Sequence, residues 1–244
     1  MDKYYYSISK YKNKGEDKES IALMDYHTSL GKFEDYLDIK STSDVEYILK
    51  ILKLYNKVIF HTYFSELVNN LPNNVEILEF YDDSNGPVEH LPESIKLLSL
   101  GKKFNHPIDN LPYNLKTLFL SSSSEFNYPI DNLPVNLEEL ILGGDFNQPI
   151  DNLPSGLKSL MFWCKFNHPI RNLPSELNHL IFIDKEFNHE FDSLPESLTH
   201  LQLHEKYDKI LPNIPPNIEH LVIKNPDYNW APIFQKCMNK KSNR

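Results

Sequence analysis

Cysteine and long apolar runs are scarce in this sequence, and each shortage excludes a class of protein. Its two cysteines, Cys164 and Cys237, cannot form a disulfide framework, and no Cys/His spacing predicts a zinc site. There is no run of about 18 apolar residues and no apolar signal-peptide core at the start of the sequence. We therefore expect a soluble cytoplasmic protein with reduced thiols and no membrane partner.

Basic charge and catalytic motifs are lacking as well. The formal net charge is −9, whereas nucleic-acid binding requires a basic surface, so we expect no nucleic-acid partner. Only seven glycines are present, and the chain has no phosphate-binding loop and no GxSxG or HExxH motif. These absences predict a protein that is not an enzyme and that uses no cofactor.

What the sequence does contain is a repeat. A Leu-Pro or Ile-Pro dipeptide opens a series of units that follow one another at intervals of 20 to 22 residues. The units begin at Leu71, Leu91, Leu111, Leu133, Leu153, Leu173, Leu194 and Ile214. A fixed period of this length is the signature of a solenoid, in which successive coils stack to bury a common core. Positions within a unit are counted below from this first residue.

Each unit continues with the pattern L-x-x-L-x-L, for example "LKTLFL" from Leu115. A Leu–x–Leu alternation directs two side chains to one face of a strand and the middle one outward. Prolines at positions 2 and 17 exclude an ordinary helix on the other side of the coil. We predict a mainly β, leucine-rich-repeat-like solenoid of about eight coils, with a parallel sheet on one face and an extended, non-helical opposite side. Because no helix widens that side, the curvature of the solenoid should be weak.

The motif "FN-x-P-I" follows the strand in four consecutive units, as in "FNHPI" from Phe104. We expect its Phe side chains to stack in the core, once per coil. Its Asn side chains are expected to be buried and to bridge the backbones of successive coils. The motif is therefore interpreted as architectural, and function is sought at the positions where the units differ.

These units, with "FN-x-P-I" followed by "NLP-x-x-L-x-x-L-x-L", closely resemble FNIP repeats, a leucine-rich-repeat-like family, over residues 71–223. The first unit departs from the pattern with Ser84 in place of Phe, and the sixth with Glu190 in place of Pro. FNIP repeats are known from social amoebae and large amoeba-infecting viruses, often beside an F-box. The resemblance implies partner recognition, in the host-cell cytoplasm if the protein is viral. As an alternative function, it implies that the protein is the substrate-recognition part of a ubiquitin-ligase adaptor.

The flanks of the 71–223 solenoid are predicted to close its two ends. Residues 43–70 are interpreted as a helical cap that leads into a degenerate first coil. Residues 1–42 form either a mobile arm or a small β cap. Residues 224–244 form a carboxyl-terminal cap and a basic tail. The aromatic side chains expected to cover the last coil are Tyr228, Trp230 and Phe234.

The outward strand positions 9 and 11 vary between units and are the candidates for a binding site. In four consecutive units they predict a contiguous exposed apolar stripe, made of Phe119, Ile141, Met161, Trp163, Ile181 and Ile183. Branched residues favour strands for reasons of propensity alone, but a patch of this size that contains a Trp is typical of an interface. We expect a protein partner to bind here, unless the amino-terminal arm covers the stripe.

A row of histidines occupies position 7 of the last three units, namely His179, His200 and His220, with His204 nearby at position 11. Residues on one face of adjacent parallel strands lie about 4.8 Å apart, so two histidines could share a metal ion. A flat row converges poorly on zinc, and exposed histidines without a role are the simpler interpretation. Metal or small-ligand binding through this row, and self-association of the open solenoid, are the alternatives to protein recognition.

Overall fold

The structure is a computed structural model that describes residues 7–8, 24–25, 36–39, 45–61, 63 and 65–233. Within these ranges the chain forms the helices α1 (Val45–Leu52) and α2 (Ser65–Val68), and residues 231–233 are also helical. The strands are β1 (Ser7–Ile8), β2 (Met24–Asp25), β3 (Tyr36–Ile39), β4 (Lys57–Phe60), β5 (Ile77–Phe80), β6 (Leu97–Leu100), β7 (Thr117–Leu120), β8 (Glu139–Gly144), β9 (Ser159–Cys164), β10 (His179–Phe182), β11 (His200–Leu203) and β12 (His220–Ile223).

Strands β3 to β12 form one parallel sheet, in which each strand lies beside the next strand of the sequence. Equivalent repeat positions lie directly opposite one another, so that Leu78 pairs with Leu98 and Leu98 with Leu118. The predicted mainly β, leucine-rich-repeat-like solenoid of about eight coils is confirmed. At its amino-terminal side the sheet continues past the repeat through β4 and β3. The weak curvature stays a prediction.

The Leu-Pro dipeptide builds the turn that leads into each strand. The carbonyl of the Pro at position 2 accepts a hydrogen bond from the N–H at position 5, as in Pro112 and Leu115, at 3.0–3.3 Å in all eight units. Proline suits this place because the turn uses its carbonyl and not the N–H that it lacks. Asn114, at position 4, then donates from Nδ2 to the Glu93 carbonyl of the preceding coil at 3.0 Å. Residues 71–230, all of which are described, contain no helix, as the prolines predict.

The predicted aromatic stack is confirmed. Its ring centroids are 6.0–6.5 Å apart from one coil to the next, and every ring is buried. The stack consists of Phe104, Phe126, Phe146, Phe166, Phe187 and Tyr207. It continues into the carboxyl-terminal end, where Tyr228 stacks on Tyr207 and Trp230 meets Tyr228 edge-on. Phe234, also expected there, lies outside the described residues.

The Asn residues of the repeat form a ladder, but their predicted burial is wrong. The Oδ1 atom of Asn127 accepts a hydrogen bond from the N–H of Asn147 at 2.9 Å, and Asn147 does the same for Asn167. All three side chains are exposed. They satisfy backbone N–H groups at the surface of the coil, so the ladder does not require a buried amide.

Two local departures from the repeat are accommodated by neighbouring residues. In the first unit, where Ser84 replaces Phe, Tyr63 packs its ring against Gly86 so closely that any Cβ there would collide with it. The Tyr63 hydroxyl also donates to the Pro87 carbonyl at 2.8 Å. At the two-residue insertion of the third unit, buried Ser124 contacts Gly144 of the next coil, which has a φ of 64°. Glycine suits that position because it adopts positive φ without a steric cost.

The amino-terminal end contains a short antiparallel pair and a helix. In the β1–β2 pair, Ser7 lies opposite Asp25 and Ile8 opposite Met24. Helix α1 is joined to the first turn of the repeat by Asn74, whose Nδ2 donates to the carbonyl of Leu52, the last residue of the helix, at 3.0 Å. Apolar side chains of α1 pack on the core.

A buried ion pair lies on the outer face of β4 and β5. The Nζ of Lys57 is 3.0 Å from Oε1 of Glu79, and the two side chains are only 10% and 9% exposed. Burial raises the pKa of Glu79 above its ordinary value, and the ammonium group of Lys57 opposes that effect. The neighbouring outward residue Ile59 is fully buried. The outer face of the sheet is therefore buried at β4 and β5.

The aromatic stack predicts a position-dependent cost of removing a ring. Phe146→Ala should lower the free energy of unfolding by about 3–5 kcal/mol, because the ring is fully buried between two others. Phe119→Ala, the same substitution on the half-buried outer face, should cost clearly less. Urea denaturation followed by circular dichroism measures both. Equal losses for the two variants would contradict the core assignment.

The buried ion pair predicts that two substitutions are better tolerated than one. Glu79→Leu should destabilise the protein by about 3–5 kcal/mol, because it removes the buried carboxylate that lies 3.0 Å from the buried ammonium group of Lys57. Adding Lys57→Met should restore most of that loss, since a well-packed apolar pair replaces the ion pair. The measurement is the denaturation midpoint of both variants. A double variant as unstable as the single one would disprove the coupling.

Candidate functional site

The outer face of β7 to β10 carries the residues that the sequence analysis named as candidates for a binding site. In β7 the core side chains Leu118 and Leu120 are fully buried, while Thr117 and Phe119, which alternate with them, are half-buried. Strands β9 and β10 alternate in the same phase. The strand phase inferred from the Leu–x–Leu pattern is therefore the observed one.

Six apolar side chains on this face define what we call the apolar surface. Direct pairing places Ile141 of β8 between Phe119 of β7 and Met161 of β9, and places Ile181 of β10 beside Met161. Trp163 and Ile183 lie at position 11 of the same two coils as Met161 and Ile181. The apolar surface thus consists of Phe119, Ile141, Met161, Trp163, Ile181 and Ile183.

An aromatic contact crosses the middle of the apolar surface. The ring centroids of Phe119 and Trp163 are 5.8 Å apart at an interplanar angle of 88°, an edge-to-face arrangement that aromatic pairs favour. The two residues belong to β7 and β9, so their side chains reach across β8, where Gly143 lies opposite Trp163 and presents no side chain. A Cβ at Gly143 would lie 2.1 Å from the Ser121 carbonyl oxygen, so a larger residue cannot replace it without a shift of the backbone.

The members of the apolar surface differ in exposure, and the expectation that Ile141 is exposed is wrong. Ile141 is only 8% exposed, because Phe119 and Met161 flank it and the aromatic contact crosses its strand. Phe119, Met161, Trp163 and Ile181 are half-buried. Ile183 is 48% exposed.

Position 11 does not face outward in every coil, contrary to the sequence interpretation. Gly101 and Gly143 are buried, and His204 is only 2% exposed. The Nε2 of His204 lies 2.6 Å from the Phe187 carbonyl, and Nδ1 accepts a hydrogen bond from the Lys206 N–H. Gly101 and Gly143 are buried because backbone atoms of the preceding coil pack against them. For His204 the physical reason is strand length: β11 ends at position 10, so the strand alternation does not govern position 11 of that coil.

Polar and charged residues border the apolar surface where the strands begin. The first residues of β7, β8 and β9, at position 7 of their units, are Thr117, Glu139 and Ser159. One residue earlier, Glu138 bridges Lys116 at 2.8 Å and Lys158 at 2.7 Å. Hydrogen bonds from these lysines lower the pKa of Glu138, so this border stays ionised. An apolar centre with a polar rim is the usual anatomy of a protein interface.

The histidine row is present on the outer face, without His204. The rings of His179 and His200 stack at 4.2 Å between centroids, and those of His200 and His220 lie 4.4 Å apart. Burial, and then the neighbouring His200, lower the pKa of His179. Sequence reasoning missed Glu219, which lies one residue before His220 and joins His200 and His220 in a cluster of possible metal ligands. The Glu-His dipeptide at the start of β12 was the available signal.

Other reactive groups in the described part of the chain offer little chemistry. Cys164 is a free, buried thiol whose pKa is raised to about 12 by burial, so it is a poor nucleophile. Cys237 lies outside the described residues. Across the described ranges, no helix has the length and apolar character that crossing a membrane requires.

Comparison with known proteins agrees with this architecture. The family described as FNIP Repeat matches residues 84–123, 126–165 and 166–206. Among solved structures, the crystal structure of CroV588 from a giant virus, described as a novel circular LRR protein structure, matches with a TM-score of 0.63 and 26% sequence identity. The match covers 82% of this chain but 35% of that one, so this chain spans about a third of its length. No curated protein gives a significant match.

The histidine row predicts a pH-dependent contribution to stability. The pKa of His179 in the folded protein lies below 6.5, so the unfolded chain binds more protons as the pH falls through 6.5 towards the folded-state pKa. The contribution is therefore complete above about pH 6.5 and is lost below it. His179→Gln should remove part of this loss, by less than about 1 kcal/mol because the ring is partly solvated. Denaturation in EDTA at about pH 7.5 and about pH 5 tests this, and identical pH dependence in both proteins would refute it.

Proposed function

We infer that this FNIP-repeat protein is a recognition module that binds another protein through the apolar surface of β7 to β10. Leucine-rich-repeat solenoids commonly serve as protein-interaction modules, and members of this kind are typically non-enzymatic scaffolds. The observation that carries the proposal is the Phe119–Trp163 contact, which holds two half-buried aromatic rings at the centre of the outer face. Large aromatic side chains of this kind are the residues that most often dominate binding energy.

Differences between the coils support this location. At position 9 the coils on either side of the apolar surface have Ser99 and Gln202, both half-buried polar residues, so the fold does not require an apolar residue there. Neighbouring parallel strands lie about 4.8 Å apart, which makes the distance from β7 to β10 about 14 Å. A surface of that width accommodates one amphipathic helix or one loop of a partner. Lys116, Glu138 and Lys158 on its border would then bias the choice of partner by charge.

The proposed site of action is the cytoplasm. The chain keeps a free thiol at Cys164, and none of its asparagines lies in an N-x-[ST] glycosylation sequence. A role as the substrate-recognition part of a ubiquitin-ligase adaptor would use the same surface and differs only in the identity of the partner.

The proposal predicts that a charge on the apolar surface abolishes partner capture. Replacing Met161 and Trp163 by Asp should reduce the recovery of specific partners by at least about tenfold, because burying an unpaired carboxylate at a binding hot spot costs about 2 kcal/mol or more. The matched control is Val135→Asp, which places the same charge on a side chain that is 53% exposed in a turn. Pull-down from cell lysate with quantitative mass spectrometry compares the three proteins, after circular dichroism has verified their fold.

Two results would contradict this assignment. The first is an unchanged set of partners in the Met161/Trp163 variant. The second is equal loss of partners in the Val135→Asp control, which would indicate non-specific capture. Sedimentation velocity separates a further case: a wild-type dimer that dissociates in the double variant would mean that the apolar surface binds a second copy of this chain.

A further inference from the structure

The beginnings of β11 and β12 bring three metal-ligating side chains together. His200 opens β11 and lies directly opposite His220, which opens β12. Glu219 precedes His220 in the chain. One ligand atom from each of the three residues lies within 4.8 Å of the other two, and the side chains are half-buried or exposed. Among the described residues, no other set of three His, Cys, Asp or Glu residues is grouped in this way.

We propose that His200, Glu219 and His220 form a binding site for a divalent transition-metal ion such as Zn²⁺. Two imidazoles and one carboxylate are a ligand set that zinc accepts, at distances of about 2.0–2.2 Å. Ligand atoms that all lie within 4.8 Å of one another require only small side-chain rotations to converge on one ion. This site is independent of the apolar surface, which lies on other strands.

Hydrogen bonds already prepare His200 for this role. The Thr199 hydroxyl donates its only hydrogen to the Asn178 carbonyl at 3.0 Å. The same oxygen is 2.8 Å from Nδ1 of His200, so it must accept a hydrogen bond there, and Nδ1 carries the proton. The neutral ring therefore presents Nε2 with a free lone pair, which is the nitrogen that can bind a metal. Fixing a ligand tautomer through its other nitrogen is what the surroundings of metal-bound histidines generally do.

The stack with His179 holds the same ring in place from the other side. His179 lies 4.2 Å from His200 between ring centroids, with an interplanar angle of 14°. Its own Nδ1 is 2.5 Å from the side-chain oxygen of Asn178. His179 is not a member of the ligand cluster and acts as a positioning residue, because it limits the rotation of the His200 ring.

Glu219 resolves the difficulty that a flat row of histidines presents. Residues in one row of a sheet all approach an ion from the same side, which does not suit tetrahedral coordination. Glu219 is at position 6, before the strand begins, so its carboxylate joins the cluster from outside the row. Three protein ligands leave a fourth position open to water or to a side chain of a binding partner.

Calorimetric titration of the full, metal-free chain with Zn²⁺ tests the proposal. We expect one ion per chain at this site and an affinity that falls at least tenfold in His200→Ala. Glu219→Gln keeps the shape of the side chain and removes its charge. Its affinity for Zn²⁺ should fall by a similar factor, with an unchanged melting temperature in EDTA. The control is His106→Ala, which removes a half-buried histidine far along the repeat and should bind as the wild type does. Titration with Co²⁺ should give the visible absorption bands of four-coordinate cobalt.

Each of the following results would overturn the site. One is a wild-type protein that binds no Zn²⁺ in the titration. Another is binding that survives both His200→Ala and Glu219→Gln, which would place the ion elsewhere in the chain. The third is equal loss in His106→Ala, which would reflect non-specific association with histidines. If His200→Ala fails to fold, the Glu219→Gln variant and the cobalt spectrum still decide the question.

Discussion

Parallel pairing without a register shift is the constraint on which the rest of this molecule depends. Because every strand residue lies opposite its equivalent one coil away, a residue type that is kept in the repeat becomes a continuous ladder. Phe at one position gives the aromatic stack, Asn at the next gives a chain of backbone contacts, and Pro gives a turn that recurs in all eight units. No coil could bury these groups alone, so the stability of the solenoid depends on contacts between neighbours.

The same register decides where function can lie. Residue type varies little at the positions that maintain the ladders. Outward strand positions accept almost any residue, so the residues found there can serve binding and not only the fold. On β7 to β10 these positions form the apolar surface, and at the start of β11 and β12 they contribute to the histidine–glutamate cluster. The "FN-x-P-I" motif, although it is the most conspicuous feature of the sequence, is architecture.

The sequence predicted what depends on period alone and missed what depends on particular neighbours. Strand phase, the aromatic stack and the absence of a helix opposite the sheet follow from positions within one unit. The burial of Ile141 depends on a Trp one coil away and a Phe one coil back, and the burial of His204 depends on where β11 ends. Glu219 joins a site only because the turn before β12 brings it there. Pairing of β3 with β4 had no repeat signal, since Tyr36 to Ile39 lack the L-x-x-L-x-L pattern.

The ladder positions that recur from coil to coil build this protein, and we propose that the variable outer face of the sheet recognises its partner. Hydrogen–deuterium exchange of the chain, alone and with a captured partner, tests that claim most directly. We expect slower exchange in and around β7 to β10 on binding, with no change in the segments that carry "FN-x-P-I". Protection confined to those segments, with exchange in β7 to β10 unaltered, would contradict it.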